Sequence, residues 1–201
     1  MIAVIDYEMG NLGSVSKALE SLGAKVKVTQ DPSDLKKADK IVLPGVGAFK
    51  DAMKALGGFK LLEPLREAID SKKPYLGICL GLELLFAESE EGGPSKGMGI
   101  LNGDVVKFSD RALKVPHIGW NQLHKKMADC PLFKGIVDNA FFYFVHSYYV
   151  RPKDKSIIAA ATDYGSEFTS MVWKDNIYAI QCHPEKSQAV GLKFLENFIK
   201  L

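Results

Sequence analysis

The chain has 201 residues, of which 47% are hydrophobic and 25% are charged, so it can bury a substantial core and is too apolar to be intrinsically disordered. It carries 26 Lys and Arg against 24 Asp and Glu, mixed along the chain, and the net charge is only +2. The absence of a basic stripe argues against a nucleic-acid-binding protein, and the absence of an apolar run of membrane length argues against a membrane span.

The first half of the sequence alternates short apolar runs with amphipathic stretches. This pattern predicts strands at residues 2–5, 25–28, 41–43 and 75–78, and helices at 13–22 and 61–71. Short apolar strands separated by helices are typical of a parallel sheet covered on both faces. We therefore expect an α/β, flavodoxin-like fold with its ligand site at the carboxyl ends of the strands.

The second half has a different character. After a helix predicted at 80–87, the acidic, glycine-rich stretch 88–97 is expected to be a mobile connection. Strands joined by short polar turns predict an antiparallel section, with a hairpin closed by residues 174–176; these strands are at 105–108, 118–123, 141–145, 157–161, 168–173 and 177–181. Ser187 is predicted to cap a final helix with an apolar stripe. No linker is long enough to divide residues 1–201, so we expect a single domain.

Cys79 lies where the strand ending at residue 78 turns into a helix, with Gly77 two residues before it and Gly81 two residues after it. This spacing is that of a nucleophile elbow with cysteine in place of serine. A thiol at a helix N-terminus is near unpaired N–H groups, so we expect its pKa to be lowered. The alternative is a small core residue at a strand end.

The other two cysteines give no sign of a disulfide framework or a zinc site, because the sequence has no Cys-x-x-Cys spacing. Cys182 is predicted to pack in the core, and Cys130 to be a structural or surface thiol. The chain opens on an apolar strand rather than a basic leader, which favours a reducing cytoplasm as its location.

A nucleophilic cysteine needs a base, and the base needs a group that orients it. His183 and Glu185 flank a proline directly after the last predicted strand, so they are the predicted base and its carboxylate partner. The alternative is a strand end with an incidental charge. The remaining histidines are weaker candidates: His117 is placed in a turn with no acid nearby, His124 in a basic surface segment and His146 at a half-buried strand end.

The run Pro44-Gly45-Val46-Gly47 closes the strand at 41–43. Its two glycines permit close backbone approach and leave N–H groups free, which is what an oxyanion requires. We expect the N–H of Val46 or Gly47, together with that of Leu80, to form an oxyanion hole. An ordinary strand-to-helix loop is the alternative, and a phosphate loop is disfavoured because no Lys-Ser or Lys-Thr follows.

Together, Gly-Ile-Cys79-Leu-Gly-Leu-Glu83, His183-Pro-Glu185 and Pro44-Gly-Val-Gly47 resemble the class I, or triad, glutamine amidotransferases over essentially the whole chain. The resemblance is narrowed towards the glutaminase subunits of imidazole glycerol phosphate synthase by Tyr7-Glu-Met-Gly-Asn11, Pro116-His-Ile-Gly-Trp-Asn121, Tyr143-Phe-Val-His-Ser147 and His183-Pro-Glu-Lys-Ser187. It implies a Cys79–His183–Glu185 triad that hydrolyses L-glutamine to glutamate and ammonia through a thioester, without a metal or organic cofactor.

The resemblance also implies which residues hold the amino-acid end of glutamine, namely Gly47, Glu83, Ser147 and Tyr148. Glu83 departs from the family, which more often has glutamine at this position. A carboxylate there could accept from the substrate's ammonium group. The alternative for Glu83 is a helix-surface acid favoured by the helix dipole.

A partner is implied as well: a (β/α)8-barrel cyclase that forms a heterodimer with the chain and uses the ammonia in histidine biosynthesis. The expected interface residues are Asn11, Trp120, Asn121 and Lys186. The alternative for Trp120 is a partly buried core residue.

Two rival functions stay open at this point. One is a glutaminase of another synthase, such as that for anthranilate, or a stand-alone γ-glutamyl hydrolase, which would not need the segment 116–121. The other is a non-enzymatic small-molecule binding module on a flavodoxin-like sheet, with Cys79 as a core residue.

Overall fold

A computed structural model describes residues 1–109 and 113–201. Its α-helices are α1 (Leu12–Ser21), α2 (Pro32–Lys37), α3 (Phe49–Gly58), α4 (Leu62–Asp70), α5 (Leu80–Glu83) and α6 (Gln188–Ile199). Its strands are β1 (Ile2–Ile5), β2 (Val26–Thr29), β3 (Lys40–Gly45), β4 (Tyr75–Cys79), β5 (Phe86–Ser89), β6 (Ser95–Lys96), β7 (Leu101–Lys107), β8 (His117–Lys125), β9 (Ala140–His146), β10 (Tyr148–Pro152), β11 (Ile158–Tyr164), β12 (Ser166–Lys174) and β13 (Ile177–Ile180).

One continuous sheet has the strand order β2-β1-β3-β4-β13-β12-β10-β7-β5-β6. The first five strands in this order pair in parallel, and β13 pairs with β12 in an antiparallel manner. A branch leaves the sheet at β12 and runs through β11 and β8 to β9, again antiparallel. This arrangement confirms the predicted fold class, a mainly parallel sheet with an antiparallel section from the second half of the chain.

Two hydrophobic clusters form the core. They divide the alternating side chains of the central strands between them: Val42 and Ile78 belong to one cluster, and Ile41 and Leu43 to the other. Strands β1, β4 and β13 are buried along their whole length because helices cover them, as the apolar runs indicate, whereas the edge strand β2 is largely exposed. At the carboxyl ends of β3 and β4, Gly45 is in register with Cys79.

The segment after the elbow contradicts two predictions. The helix predicted at 80–87 ends after Glu83, because Phe86 pairs with Leu101 and is fully buried in β5. The stretch 88–97 is an ordered hairpin rather than a mobile connection, with Glu88 opposite Lys96. Tertiary pairing therefore outweighs local propensity in this segment.

Acidic side chains account for the order in this hairpin. The Lys107 N–H donates to the Glu90 carboxylate at 2.6 Å. The Phe49 N–H, at the start of α3, donates to the Glu91 carboxylate at 2.7 Å. Because α3 receives this cap from a residue far along the chain, it lacks the local start signal by which a sequence pattern would reveal it, and no helix was predicted there.

The remaining predictions of secondary structure are partly confirmed. The hairpin at 174–176 is confirmed, since Lys174 pairs with Ile177 across β12 and β13. Helix α2 and strand β10 were not predicted. Ser187 occupies the N-cap position of α6, but its side chain makes no cap hydrogen bond, so the predicted capping role is wrong.

Candidate active site

The turn between β4 and α5 has the geometry of a nucleophile elbow. Cys79 has φ 55° and ψ −110°, a strained conformation for a residue with a side chain. The glycines around it permit the close approach of three backbone segments. A Cβ on Gly81 would lie 1.9 Å from the Leu43 carbonyl oxygen, and one on Gly77 would lie 2.5 Å from the Gly81 carbonyl oxygen.

The thiol of Cys79 is enclosed, with the residue only 6% exposed. Its Sγ lies 3.9 Å from the Val145 carbonyl oxygen and 3.9 Å from Nε2 of Gln181. Burial raises the pKa of this thiol, and the negative charge of Glu83 raises it further, whereas the Leu80 N–H acts in the opposite direction. The expected lowering of the thiol pKa is therefore wrong, because desolvation outweighs the helix N-terminus.

His183 and Glu185 form a buried pair, as predicted. Nδ1 of His183 lies 2.8 Å from Oε1 of Glu185, and the two side chains are 2% and 1% exposed. A carboxylate at Nδ1 holds the proton there, so Nε2 is the basic nitrogen of the neutral ring. Within the described residues this Nε2 is buried without a hydrogen-bond partner.

Ser187 fixes the backbone of this pair. Its hydroxyl donates to the His183 carbonyl oxygen at 2.6 Å and accepts from the Tyr143 N–H at 3.0 Å. The His183 N–H donates in turn to the Tyr143 carbonyl oxygen at 2.9 Å. The segment that carries the imidazole is thus tied to β9, a strand of the antiparallel branch.

Val46 and Gly47 follow β3 directly and line the same cavity as Cys79 and Leu80. Gly47 has a φ of 100°, a conformation that favours glycine. A Cβ on this residue would also lie 2.7 Å from Cε of Met9. The predicted oxyanion residues are therefore brought together around the sulfur.

The cavity has a volume of about 250 Å³. Cys79 and the four residues predicted to bind substrate all line it: Gly47, Glu83, Ser147 and Tyr148. No Lys or Arg is among the described residues that form its wall.

Glu83 is buried rather than a helix-surface acid, since the residue is 5% exposed. Its Oε1 accepts a hydrogen bond of 2.9 Å from Nε2 of Gln181. Burial raises the pKa of the Glu83 carboxyl to about 8, against the smaller lowering effect of the Gln181 hydrogen bond. This carboxyl is therefore mostly protonated at neutral pH.

Comparison with known families gives a match to the pattern described as glutamine amidotransferase class-I over residues 3–201. The chain belongs to this family. The resemblance of its motifs and the predicted enzyme class are both confirmed. A cysteine in an elbow, a buried His–Glu pair and a small cavity are the features that such an amidotransferase requires.

Curated relatives show which group of class I amidotransferases the chain resembles. The amidotransferase is 51% identical to imidazole glycerol phosphate synthase subunit HisH of Syntrophotalea carbinolica, over 98% of each chain. It is also 51% identical to the subunit of the same name from Methanocaldococcus jannaschii, over 100% of each chain. Among solved structures, PurLQS from Thermotoga maritima matches 99% of this chain and 95% of its own with a TM-score of 0.77 at 19% identity, which supports the fold alone.

One histidine of the amidotransferase, His117, lies elsewhere than predicted, whereas His146 ends its strand as predicted but is buried rather than half-buried. His117 is not in a turn but begins β8, where it is 3% exposed and stacks on Phe144 and Tyr164. Its Nδ1 lies 2.9 Å from Nε2 of His146, whose own Nδ1 is 2.8 Å from the Tyr148 carbonyl oxygen. Burial lowers the pKa of His117 to about 4 and that of His146 to about 3. Both are therefore neutral packing groups.

Sequence reasoning missed Glu91 and Gln181 as residues of the site. Glu91 lines the cavity although it belongs to the stretch predicted to be mobile. Gln181 was assigned only to the end of a strand, yet it contacts both Cys79 and Glu83. The signal that could have identified Gln181 was an amide side chain directly after an apolar strand and two residues before His183.

The four predicted interface residues differ in exposure. Trp120 is 46% exposed and packs edge-on against Tyr143. This exposure favours the predicted surface position over the alternative of a partly buried core residue. Lys186 is exposed, with its Nζ 5.9 Å from the centre of the Tyr143 ring. Asn11 caps α1 by accepting from the Ser14 N–H, and Asn121 bonds within the chain to His117 and to the Asp163 carbonyl.

The other two cysteines, Cys130 and Cys182, are free and buried. Cys182 is buried in the core, as predicted, and Cys130 is a buried structural thiol. Across residues 1–109 and 113–201, no group of three His, Cys, Asp or Glu side chains is arranged to hold a metal ion. In the same ranges, no helix combines the length and apolarity needed for a membrane span.

Proposed function

We propose that this amidotransferase is the glutaminase subunit of an imidazole glycerol phosphate synthase and acts as one domain over its whole length. It hydrolyses L-glutamine to glutamate and ammonia. The observation that carries the proposal is the elbow cysteine at the wall of a small cavity, together with a buried His183–Glu185 pair whose carboxylate is near enough to raise the pKa of the thiol. Identity of 51% over full length to subunits named HisH supports the choice of synthase.

Cys79 attacks the side-chain carboxamide carbon of glutamine. Because burial and nearby carboxylates raise the pKa of the thiol, it rests as a neutral thiol, and its proton passes to Nε2 of His183 as the sulfur–carbon bond forms. Glu185 holds the opposite ring nitrogen and stabilises the imidazolium. The oxyanion is held by the N–H of Val46 or Gly47 together with that of Leu80.

Collapse of this intermediate breaks the carbon–nitrogen bond. The His183 imidazolium gives its proton to the leaving nitrogen, which departs as ammonia and leaves a γ-glutamyl thioester on Cys79. Water then gives a proton to the same imidazole, attacks the thioester carbon and releases glutamate, and the sulfur recovers its proton. No step in this sequence needs a metal or an organic cofactor.

The amino-acid end of the substrate is held by Gly47, Glu83, Ser147 and Tyr148. These residues share the cavity with the sulfur, at a size suited to one amino acid. Glu83 in its neutral form supplies both a donor and an acceptor, as the amide of glutamine would at this position. This similarity accounts for the tolerance of a carboxyl group where the family more often has glutamine.

The partner is a (β/α)8-barrel cyclase that forms a heterodimer with this chain and consumes the ammonia. We place its interface around Trp120 and Lys186, with Asn11 and Asn121 at the same surface. Exposed apolar side chains favour this surface, since Ile118 is 58% exposed and Trp120 is 46% exposed on the same face of β8. All three cysteines are free, which suits a cytoplasmic enzyme whose nucleophile must stay reduced.

The experiment is glutamate release from glutamine by the purified chain, first alone and then with the cyclase subunit and its nucleotide ligand. The matched control is Cys79→Ala. Partner-dependent release that the control abolishes supports the proposal. Full activity without a partner favours a stand-alone hydrolase instead, and loss of partner affinity in Trp120→Ala at unchanged stability supports the interface.

A further inference from the structure

A single buried amide group contacts both the nucleophile and the unusual carboxyl group of the cavity. Gln181 is completely buried directly after β13. Its Nε2 lies 2.9 Å from Oε1 of Glu83 and 3.9 Å from Sγ of Cys79. Its Oε1 is buried without a hydrogen-bond partner among the described residues. The two amide protons are therefore directed to the carboxyl and the sulfur.

The surroundings of Glu83 hold negative and neutral groups. The titratable groups around it are Tyr7 from the loop after β1, Tyr75 and Cys79 from β4, Glu91 from the loop after β5, and His146 and Tyr148 from the end of β9 and the start of β10. The negative charge of Glu83 raises the pKa of Cys79, Tyr7 and Tyr148. An ionised Glu83 therefore has no lysine or arginine to balance it in the described cavity wall.

We propose that Gln181 is a positioning residue that links the Cys79 thiol to the charge of Glu83, so that the nucleophile is reactive while Glu83 is neutral and is suppressed once Glu83 is ionised. The proposal rests on the role of Cys79 as the nucleophile. A thiolate and a carboxylate that share one amide nitrogen repel each other and compete for its protons. A glutamine at position 83 would not ionise in this pH range. We therefore expect the loss of Cys79 reactivity at alkaline pH only when residue 83 is a glutamate.

The test measures the alkylation of Cys79 by iodoacetamide between pH 6 and pH 9, quantified by mass spectrometry of the peptide that contains it. The protein is the full chain, and Cys79→Ala corrects for the two other cysteines. We expect Glu83→Gln to react at about the rate of the wild type at pH 6, where Glu83 is neutral. At pH 9 the variant should react about tenfold faster, because the opposing charge is missing.

Two further variants separate the positioning role from a structural one. Gln181→Leu should slow alkylation at both pH values while leaving the circular dichroism spectrum unchanged, because the thiolate loses a hydrogen-bond donor. Glu90→Gln is the matched control: it changes an exposed carboxylate of the neighbouring hairpin that bonds to the Lys107 N–H and is not among the residues of the cavity wall. It should leave the ratio of rates at pH 9 to pH 6 within about twofold of the wild type.

Parallel pH curves for the wild type and Glu83→Gln would overturn the proposal, as would an unchanged rate in Gln181→Leu. Alkylation does not require glutamine hydrolysis, so the two proposals fail separately. If the chain shows the expected pH curves but releases no glutamate, the proposed glutaminase function is refuted and the coupling of Cys79, Gln181 and Glu83 is supported.

Discussion

Replacing Glu83 by glutamine should change how the stability of the protein depends on pH. Burial raises the pKa of the Glu83 carboxyl from 4.5 to about 8 in the folded state. Between these two values the folded chain keeps a proton that the unfolded chain releases. The contribution of Glu83 to stability is therefore fully present below pH 4.5 and is lost as the pH rises through about 8.

The size of the effect follows from the pKa difference. One pH unit within this window changes the free energy of unfolding by about 1.4 kcal/mol for a single proton. From pH 5 to pH 8 the wild type should lose roughly 4 kcal/mol relative to Glu83→Gln. Solvent screens this charge little, because the residue is only 5% exposed.

The assay is urea unfolding followed by tryptophan fluorescence at pH 5, 6, 7, 8 and 9 under reducing conditions, with both proteins in the same buffers. All other titrating groups are common to the two chains and cancel in the difference. A difference in unfolding free energy that is constant over this range would refute the reasoning, since Glu83 would then have the same pKa in both states.

Two further results are expected. Gly81→Ala should abolish folding or cost several kcal/mol in urea unfolding, because the added Cβ would lie 1.9 Å from the Leu43 carbonyl oxygen, whereas Gly58→Ala, with open space at its Cβ, should be neutral or stabilising by up to about 1 kcal/mol. Equal effects in these two variants would contradict the elbow geometry. In ¹⁵N NMR at pH 5.5, His117 and His146 should both be neutral with the proton on Nδ1, since each Nδ1 donates along the chain of hydrogen bonds that ends at a backbone carbonyl. A charged ring at that pH, or an Nε2 proton on His146, would disprove this arrangement.

The antiparallel section shows which structural elements can be predicted from sequence patterns and which cannot. Its six predicted strands were found because alternation and polar turns are local signals. Helix α3 was not found, because its first N–H, that of Phe49, donates to Glu91 of a distant hairpin instead of to a local capping residue. The helix predicted at 80–87 was too long for the same kind of reason: Phe86 is withdrawn from it by pairing with Leu101. Local propensity is weaker than such long-range contacts.

In the candidate site, too, some features could be predicted from the sequence and others could not. The spacing of Gly77, Cys79 and Gly81 fixes a backbone turn that few other residues could make, so the nucleophile could be predicted from local sequence. His183 and Glu185 were also accessible, since both residue types and their spacing are chemically restrictive. The direction of the thiol pKa shift was predicted wrongly, because desolvation depends on everything packed around the sulfur.

The sequence by itself determined the parallel strands of the first half, the elbow and the His183–Glu185 pair, because each of these depends on residues that are close together in the chain. Only the tertiary structure decided the protonation of Glu83, the two contacts of Gln181 and the neutral state of the buried histidines. These properties depend on burial and on charges from separate elements, including β10 and the hairpin after α5, whose positions follow from packing of the whole sheet.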